Sequence, residues 1–183
     1  MRLILIIFTS LAFLAASCKK DKPEITQKAD ITLSSKALGD VVYYILGYSF
    51  ELQKYVKTLL TNEISDIYLV EVVSTTGELK GTKFASKEVA ESPSGFYLNN
   101  TFTNSTDALE FYNSYTTAVA PQISVLSDTV KANQVWTCKT YMKNYVKILV
   151  KDVRIVSDGS SIDHMEVDIK YFIQRDHSTN LSE

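Results

Sequence analysis

Residues 164–174 read HMEVDIKYFIQ, and this stretch decides the fold class. Apolar residues occupy every second position: Met165, Val167, Ile169, Tyr171 and Ile173. Polar residues lie between them: His164, Glu166, Asp168, Lys170 and Gln174. A period of two is that of a β-strand, whose successive side chains point to opposite faces. The stretch therefore predicts a strand with one face toward a core and the other toward solvent.

Other segments of the chain carry similar strand signals. Residues 145–156 place Val146, Ile148 and Val150 on one side, and a turn at 142–144 joins them to residues 135–141 as a hairpin. A turn at 158–161 leads into the last strand. Earlier runs rich in β-branched and aromatic residues predict strands at 41–46, 67–73, 83–84 and 96–102.

One helix is predicted near residues 107–119. Asp107 and Glu110 have the spacing of a capping box, and Pro121 is expected to end the helix. The residues expected on its apolar face are Leu109, Tyr112, Tyr115 and Val119. The sequence thus predicts a mostly β, β-sandwich-like antiparallel domain with one helix.

The N-terminus has the pattern of an export signal. Met1-Arg2 gives a short positive start, and residues 3–16 are almost wholly apolar. As a helix this stretch spans roughly 21 Å, which is less than the ~30 Å hydrocarbon core of a bilayer. We expect a cleavable signal peptide over residues 1–17 rather than a permanent membrane span.

Leu14-Ala15-Ala16-Ser17-Cys18 resembles the bacterial lipobox, in which small residues precede a lipidated cysteine. The resemblance implies a diacylglycerol thioether and an amide-linked acyl chain on Cys18. The following Lys19-Lys20-Asp21-Lys22 is similar to the start of many Bacteroidota-type lipoproteins, which implies an outer-membrane or cell-surface location. More than one acyl chain gives stable anchoring, so a membrane is the first expected partner.

The remaining chain has the length of one domain. We expect a lipidated tether over residues 18–30, a single β-rich domain over 31–176 and a mobile polar tail over 177–183. The formal net charge is −2 and dense basic runs are lacking, so nucleic acid is not an expected partner. With Cys18 lipidated, Cys138 is the remaining thiol, and it is expected to be a small buried hydrophobe.

The sequence contains none of the short motifs that mark catalytic serine, cysteine, zinc or phosphate-binding sites, so no catalytic residue, metal or cofactor is assigned. The two histidines, His164 and His177, would have to converge to hold zinc or haem, and both are expected to be solvated. The turn at 158–163 lacks the later acidic ligands of a calcium loop.

Aromatic residues give the remaining functional signal, since the chain has 11 tyrosines. Tyr43, Tyr44 and Tyr48 are clustered, and adjacent aromatics in a strand cannot both face one core. Either some of them form an exposed ligand platform, or both sides of the strand are covered. Asp128-Thr129-Val130 matches the Asp-Ser/Thr-apolar pattern of O-glycosylation in Bacteroidota-type exported proteins, which suggests glycosylated Thr129.

Three segments near the C-terminus, Lys139-Thr140, Tyr145-Val146-Lys147-Ile148 and residues 167–174, are similar to the closing strands of HmuY-like haem-binding lipoproteins. The resemblance covers about 40 residues, and the turn lacks the glycine of the family. It implies a β-rich sandwich and leaves the ligand open. We therefore expect a membrane-anchored binding module of unknown envelope or extracellular ligand; the alternatives are a haem-binding lipoprotein and a carbohydrate- or peptide-binding surface protein.

Overall fold

The computed structural model describes residues 27–58, 64–87, 94–119, 123–157, 159 and 163–183. Ten strands and one helix follow one another along this part of the chain. They are β1 Lys28–Ser34, β2 Leu46–Ser49, β3 Lys54–Lys57, β4 Tyr68–Val73, β5 Leu79–Ala85, β6 Gly95–Thr101, α1 Ser105–Ser114, β7 Leu126–Thr129, β8 Gln134–Lys139, β9 Tyr145–Val156 and β10 His164–Gln174. Among the described residues no helix has the length and apolarity of a membrane span.

The strands form three antiparallel sheets. The largest has five strands in the order β1-β10-β9-β8-β6, and the others are β4-β5-β7 and β2-β3. The predicted strand at 164–174 is β10, and it pairs with β9 on one side and β1 on the other. The prediction of a mostly β, sandwich-like antiparallel domain with one helix is confirmed.

The main core lies between the five-stranded sheet and the two smaller sheets. The alternating apolar residues of β10 all face it, as predicted. Phe84 of β5 packs edge-on against Trp136 of β8, with 5.9 Å between ring centroids. Tyr48 of β2 packs on Tyr171 of β10 at 5.8 Å. Each such buried side chain contributes about 1.5–3 kcal/mol through the hydrophobic effect.

A second apolar layer covers part of the outer face of the same sheet. Ala108 and Tyr112 of α1 pack there against Leu149 and Phe172. Leu181, which lies in the expected mobile tail, is fully buried in this layer. The backbone N–H of Leu181 donates to the carbonyl of Thr116 at 2.7 Å. The C-terminal segment is therefore a packed element of the fold, and the expectation of a free tail was wrong.

Lys147 links this outer layer to the sheet through hydrogen bonds and an ion pair. Its side chain is fully buried, and its ammonium donates to the carbonyls of Tyr112 at 3.2 Å and Tyr115 at 3.3 Å. It also forms an ion pair with Glu183 at 3.3 Å. Burial lowers the pKa of Lys147, and the negative charge of Glu183 opposes that effect. The ammonium of Lys147 thus connects strand β9 to the end of the helix and to the C-terminal residue.

The helix begins earlier and ends earlier than predicted. Asn104, and not Asp107, is the N-cap, since its side chain accepts the backbone N–H of Asp107 at 2.9 Å. Tyr115 leaves the helical conformation, so α1 ends at Ser114. Leu109 and Val119 are exposed, and only Tyr112 of the predicted apolar face is fully buried. Pro121 lies outside the described residues.

Two further boundaries differ from the predictions. Residues 41–45 form a loop rather than a strand, and β2 begins at Leu46. At the N-terminus, β1 begins at Lys28, so the last residues assigned to the tether belong to the sheet. The predicted turn at 142–144 is confirmed, with Lys143 at a positive φ of 68°. The turn at 158–161 is outside the described residues except for Gly159.

Candidate binding surfaces

The sandwich has two ends that differ in what they expose. We call the end at which Gln27 joins the sheet the proximal end; it also contains the turns at 50–53 and 140–144. The opposite, distal end contains the last residues of β1 and the loop that follows it. The seven residues of β1 separate the ends by ~20 Å, at about 3.3 Å per residue.

The three tyrosines predicted as a platform do not lie together. Tyr48 is buried in the main core, where its hydroxyl lies 3.0 Å from that of Tyr171. Burial and this hydrogen bond raise the pKa of Tyr48. Tyr44 is half-buried, and Tyr43 is exposed. The platform of Tyr43, Tyr44 and Tyr48 is therefore wrong as a set, and Tyr43 alone presents its ring to solvent.

Tyr43 belongs to the loop of residues 37–44, which we call the tip loop. Two backbone hydrogen bonds between Leu38 and Tyr44, of 2.7 and 2.9 Å, close the loop. Gly39 turns the chain at φ 98°, and a Cβ there would collide with the carbonyl of Val42. The ammonium of Lys57 lies 4.8 Å from the centre of the Tyr44 ring. The loop is thus fixed at its base.

The tip loop exposes consecutive apolar side chains. Val41 is 91% exposed, Val42 54% and Tyr43 71%. Single exposed apolar residues are ordinary, whereas adjacent ones on a fixed loop are typical of an interaction site. The expected strand at 41–46 was wrong for residues 41–45, because they belong to the loop that turns at Gly39 and is closed by the pairing of Leu38 with Tyr44; Leu46 begins β2.

A groove of about 480 Å³ lies on the outer face, beside the first turn of α1. Leu109 and Leu149 give it an apolar lining, and Lys151 and Lys170 line it as well. Asp30, which also lines the groove, pairs with Lys151 at 3.6 Å, and the ammonium of Lys170 lies 5.3 Å from the centre of the Tyr112 ring. The volume is within the range of small-molecule sites.

A buried polar network occupies the proximal end. Asp66 accepts the backbone N–H groups of Phe50 at 2.8 Å and Tyr141 at 3.4 Å. Burial raises the pKa of Asp66 to about 7, and the charge of Glu51 adds to that rise. Glu51 in turn accepts from Thr140 and Asn144, both at 2.8 Å. Sequence reasoning missed Asp66 and Glu51 because neither belongs to a motif or to a period.

Cys138 lies near this network and is fully buried, as predicted. Burial raises the pKa of its thiol well above the usual range, and the charges of Asp66 and Glu51 act in the same direction. A protonated, enclosed thiol is a poor nucleophile and a poor metal ligand. Cys138 is therefore a packing residue of the core.

The two histidines lie at opposite ends of β10. His164 is its first residue, and His177 follows its last residue, Gln174, so ~30 Å separates them at the rise of a strand. His164 is buried, contrary to the expectation of a solvated side chain, with Nε2 3.7 Å from Glu166. His177 is exposed, as expected. The two imidazoles cannot hold one iron or zinc together.

The two predicted modification sites are Thr129 and Cys18. Thr129 is half-buried near the end of β7, and Asp128 beside it is exposed. Cys18 and the predicted signal peptide lie outside the described residues, as does most of the predicted tether. Glycosylation of Thr129 and lipidation of Cys18 stay predictions.

No protein-family model matches the chain, and no curated protein matches it in sequence.

Proposed function

We propose that this chain is a lipid-anchored binding module, held at an envelope membrane through Cys18, which contacts a protein partner with its tip loop. The observation that carries the proposal is the run of exposed apolar side chains at Val41, Val42 and Tyr43 on a closed loop. The lipobox resemblance at Cys18 supports the membrane anchor.

A protein is the partner class that best fits this surface. Two valines and a tyrosine ring offer mainly apolar area, and such area around an aromatic anchor is what protein interfaces bury at their centre. The loop is already closed by the hydrogen bonds of Leu38 and Tyr44, so binding orders little backbone. The tip loop also lies at the distal end, away from the point where the tether joins the sheet.

The anchor is tested by the intact mass of the protein from detergent-solubilised membranes. We expect the mass of an acylated chain that begins at Cys18, and loss of the Cys18→Ala variant from membranes. An unmodified mass with a soluble protein would make this a free secreted domain.

The tip is tested by photocrosslinking in intact cells. Tyr43 is replaced by p-benzoylphenylalanine, and the same residue at exposed Val125 serves as the matched control. We expect a protein adduct of one defined mass from position 43, absent from position 125 and lost with Val41→Asp. Val41 is exposed, so that variant should retain the melting temperature of the parent. Equal adducts from both positions would contradict the proposal.

The groove beside α1 favours a second candidate function, binding of a small amphipathic anion. Its apolar lining fits a hydrocarbon chain or ring, and Lys170 in the lining supplies a positive charge for a carboxylate. Decanoate is a suitable probe. Titration should shift the NMR signals of Leu109 and Leu149, and Lys170→Gln should weaken that response, whereas Lys80→Gln on the far side of the sandwich should not. Shifts spread over the whole surface would exclude the site.

A further inference from the structure

The proximal end exposes two apolar side chains on neighbouring turns. Leu52 lies in the turn between β2 and β3, and Met142 lies in the turn between β8 and β9; each is 49% exposed. Glu51 joins these turns, because one of its oxygens accepts from both Thr140 and Asn144. The two apolar side chains therefore stand on a common, hydrogen-bonded base.

Basic residues flank this apolar pair along the chain in the two turns. Lys54 begins β3, Lys139 ends β8, and Lys143 lies beside Met142. The acidic side chains of the described turns point inward: Asp66 is buried, and Glu51 is engaged with the β8–β9 turn. In the described part of this end, the exposed acids are Asp176 and Glu183, and Glu183 is paired with Lys28 and Lys147, both at 3.3 Å. Exposed apolar side chains flanked by lysines are complementary to a bilayer surface with anionic headgroups.

The covalent chain brings the same end to the membrane. Ile173 donates its backbone N–H to Gln27 at 2.8 Å, which fixes where the chain joins the sheet. Nine residue steps separate Gln27 from Cys18, and a fully extended chain of that length reaches at most about 30 Å. The distal end lies a further ~20 Å along β1.

We infer that the proximal end docks on anionic lipid headgroups, with Leu52 and Met142 in the interface and Lys54, Lys139 and Lys143 against the headgroups, so that the tip loop faces away from the membrane. This inference rests on the proposed lipid anchor at Cys18. It adds a fixed orientation, which a tether alone does not supply, since a flexible tether would let the domain tumble above the bilayer.

The test uses the full, acylated protein in vesicles of equal parts phosphatidylethanolamine and phosphatidylglycerol. Met142→Cys carries an environment-sensitive nitrobenzoxadiazole dye, and Tyr43→Cys with the same dye is the matched control. The new thiol is the one that reacts, because Cys138 is buried and Cys18 is acylated. We expect the dye at 142 to emit at shorter wavelength and to be quenched by nitroxide-labelled lipid, and the dye at 43 to behave as in water.

A second variant ties the signal to the surface itself. Leu52→Glu places a negative charge beside the dye at 142, and because Leu52 is half exposed the fold should be retained. We expect loss of lipid quenching at 142 although the protein stays in the vesicles. Quenching at 142 that persists in Leu52→Glu contradicts the inference.

The outcomes separate the docking surface from the anchor. A dye at 142 that is as aqueous as the dye at 43, in a protein of acylated mass, overturns the docking surface and leaves the anchor intact. Quenching at 43 instead of 142 reverses the orientation and also overturns the inference. An unacylated chain that leaves the vesicles defeats the anchor, and the docking surface with it.

Discussion

Two regions of this small sandwich bury a charged side chain, and they stabilise it in different ways. On the outer face, Lys147 lies between the sheet and α1, where it meets the opposite charge of Glu183 and two backbone carbonyls. At the proximal end, Asp66 lies beneath the turns, where it meets backbone N–H groups and the like charge of Glu51. A buried ion needs a counter-charge or hydrogen bonds. Lys147 has the counter-charge of Glu183, whereas Asp66 depends on hydrogen bonds from the backbone.

The difference sets how the neighbouring charge acts on the pKa of each buried group. Burial lowers the pKa of Lys147, but the attraction to Glu183 opposes that effect. For Asp66, burial raises the pKa to about 7, and Glu51 acts in the same direction. At the lysine site a counter-charge thus opposes the effect of burial, whereas at the aspartate site a like charge adds to it and the carboxyl changes charge near neutral pH.

The largest expected effect on the free energy of unfolding is at Lys147. Lys147→Ala should lower the free energy of unfolding by about 3–5 kcal/mol, because it leaves a cavity and two carbonyls without their donor. The control is Lys151→Ala in the same strand, whose side chain is half exposed and should change stability by no more than ~0.5 kcal/mol. Urea denaturation measures both. Equal losses of unfolding free energy in the two variants would show that the buried contacts of Lys147 stabilise the fold no more than an exposed lysine does.

The next effect is the pH dependence that Asp66 gives to folding. Its folded pKa of about 7 exceeds its ordinary value, so the folded state holds this proton more tightly than the unfolded chain. Its contribution to stability is complete below pH ~4 and is lost as pH rises to about 7. A rise of this size corresponds to at most ~4 kcal/mol.

The measurement is the difference in unfolding free energy between the parent and Asp66→Asn from pH 4 to pH 8. Asparagine keeps an acceptor for the N–H of Phe50 or Tyr141 but does not titrate. We expect the parent to lose stability relative to the variant as pH rises. A relative gain across that window would mean that Asp66 is stabilised as an anion, as an ordinary ion-paired carboxylate is.

The sequence predicts these two regions unequally. The period of two located β9 and β10 and the face that meets the main core, because burial on one face imposes that alternation. The alternation did not predict the outer layer, in which Phe172 and Leu149 occupy positions of the polar face and pack under α1. Such apolar residues on the polar face are the signal that a second layer covers it.

Two other features were not predicted because the residues concerned have partners that are distant in sequence. Leu181 was assigned to a polar tail because its neighbours are polar, yet it fills the outer layer. Glu51 and Thr140 are 89 residues apart in sequence and 2.8 Å apart in space, so no local pattern joins them. The strand prediction for the tip loop failed for the opposite reason: Val41 and Val42 have strand propensity, but they lie in a short loop that local hydrogen bonds between Leu38 and Tyr44 close.

A smaller effect is expected from the counter-charge of Lys147. Glu183→Gln should lower the free energy of unfolding by ~1–3 kcal/mol, because a fully buried ammonium loses its anion but keeps two carbonyls. The matched control is Glu78→Gln, which removes the carboxylate of an exposed pair with Lys80. Exposed pairs contribute about 0–1 kcal/mol. If both variants lose the same amount, the carbonyls rather than Glu183 hold Lys147.

The smallest effect separates burial from like charge at Asp66. Glu51→Gln removes the neighbouring negative charge and keeps an acceptor for Thr140 and Asn144. The pKa of Asp66, followed by carbon NMR of its carboxyl group, should fall by a small part of its rise, because burial is the first cause and Glu51 a lesser one. A fall to the ordinary value of an aspartate would make Glu51 the dominant cause. In that case both buried ions would be governed by a single charged neighbour, and the contrast between the two sites would reduce to the sign of that neighbour.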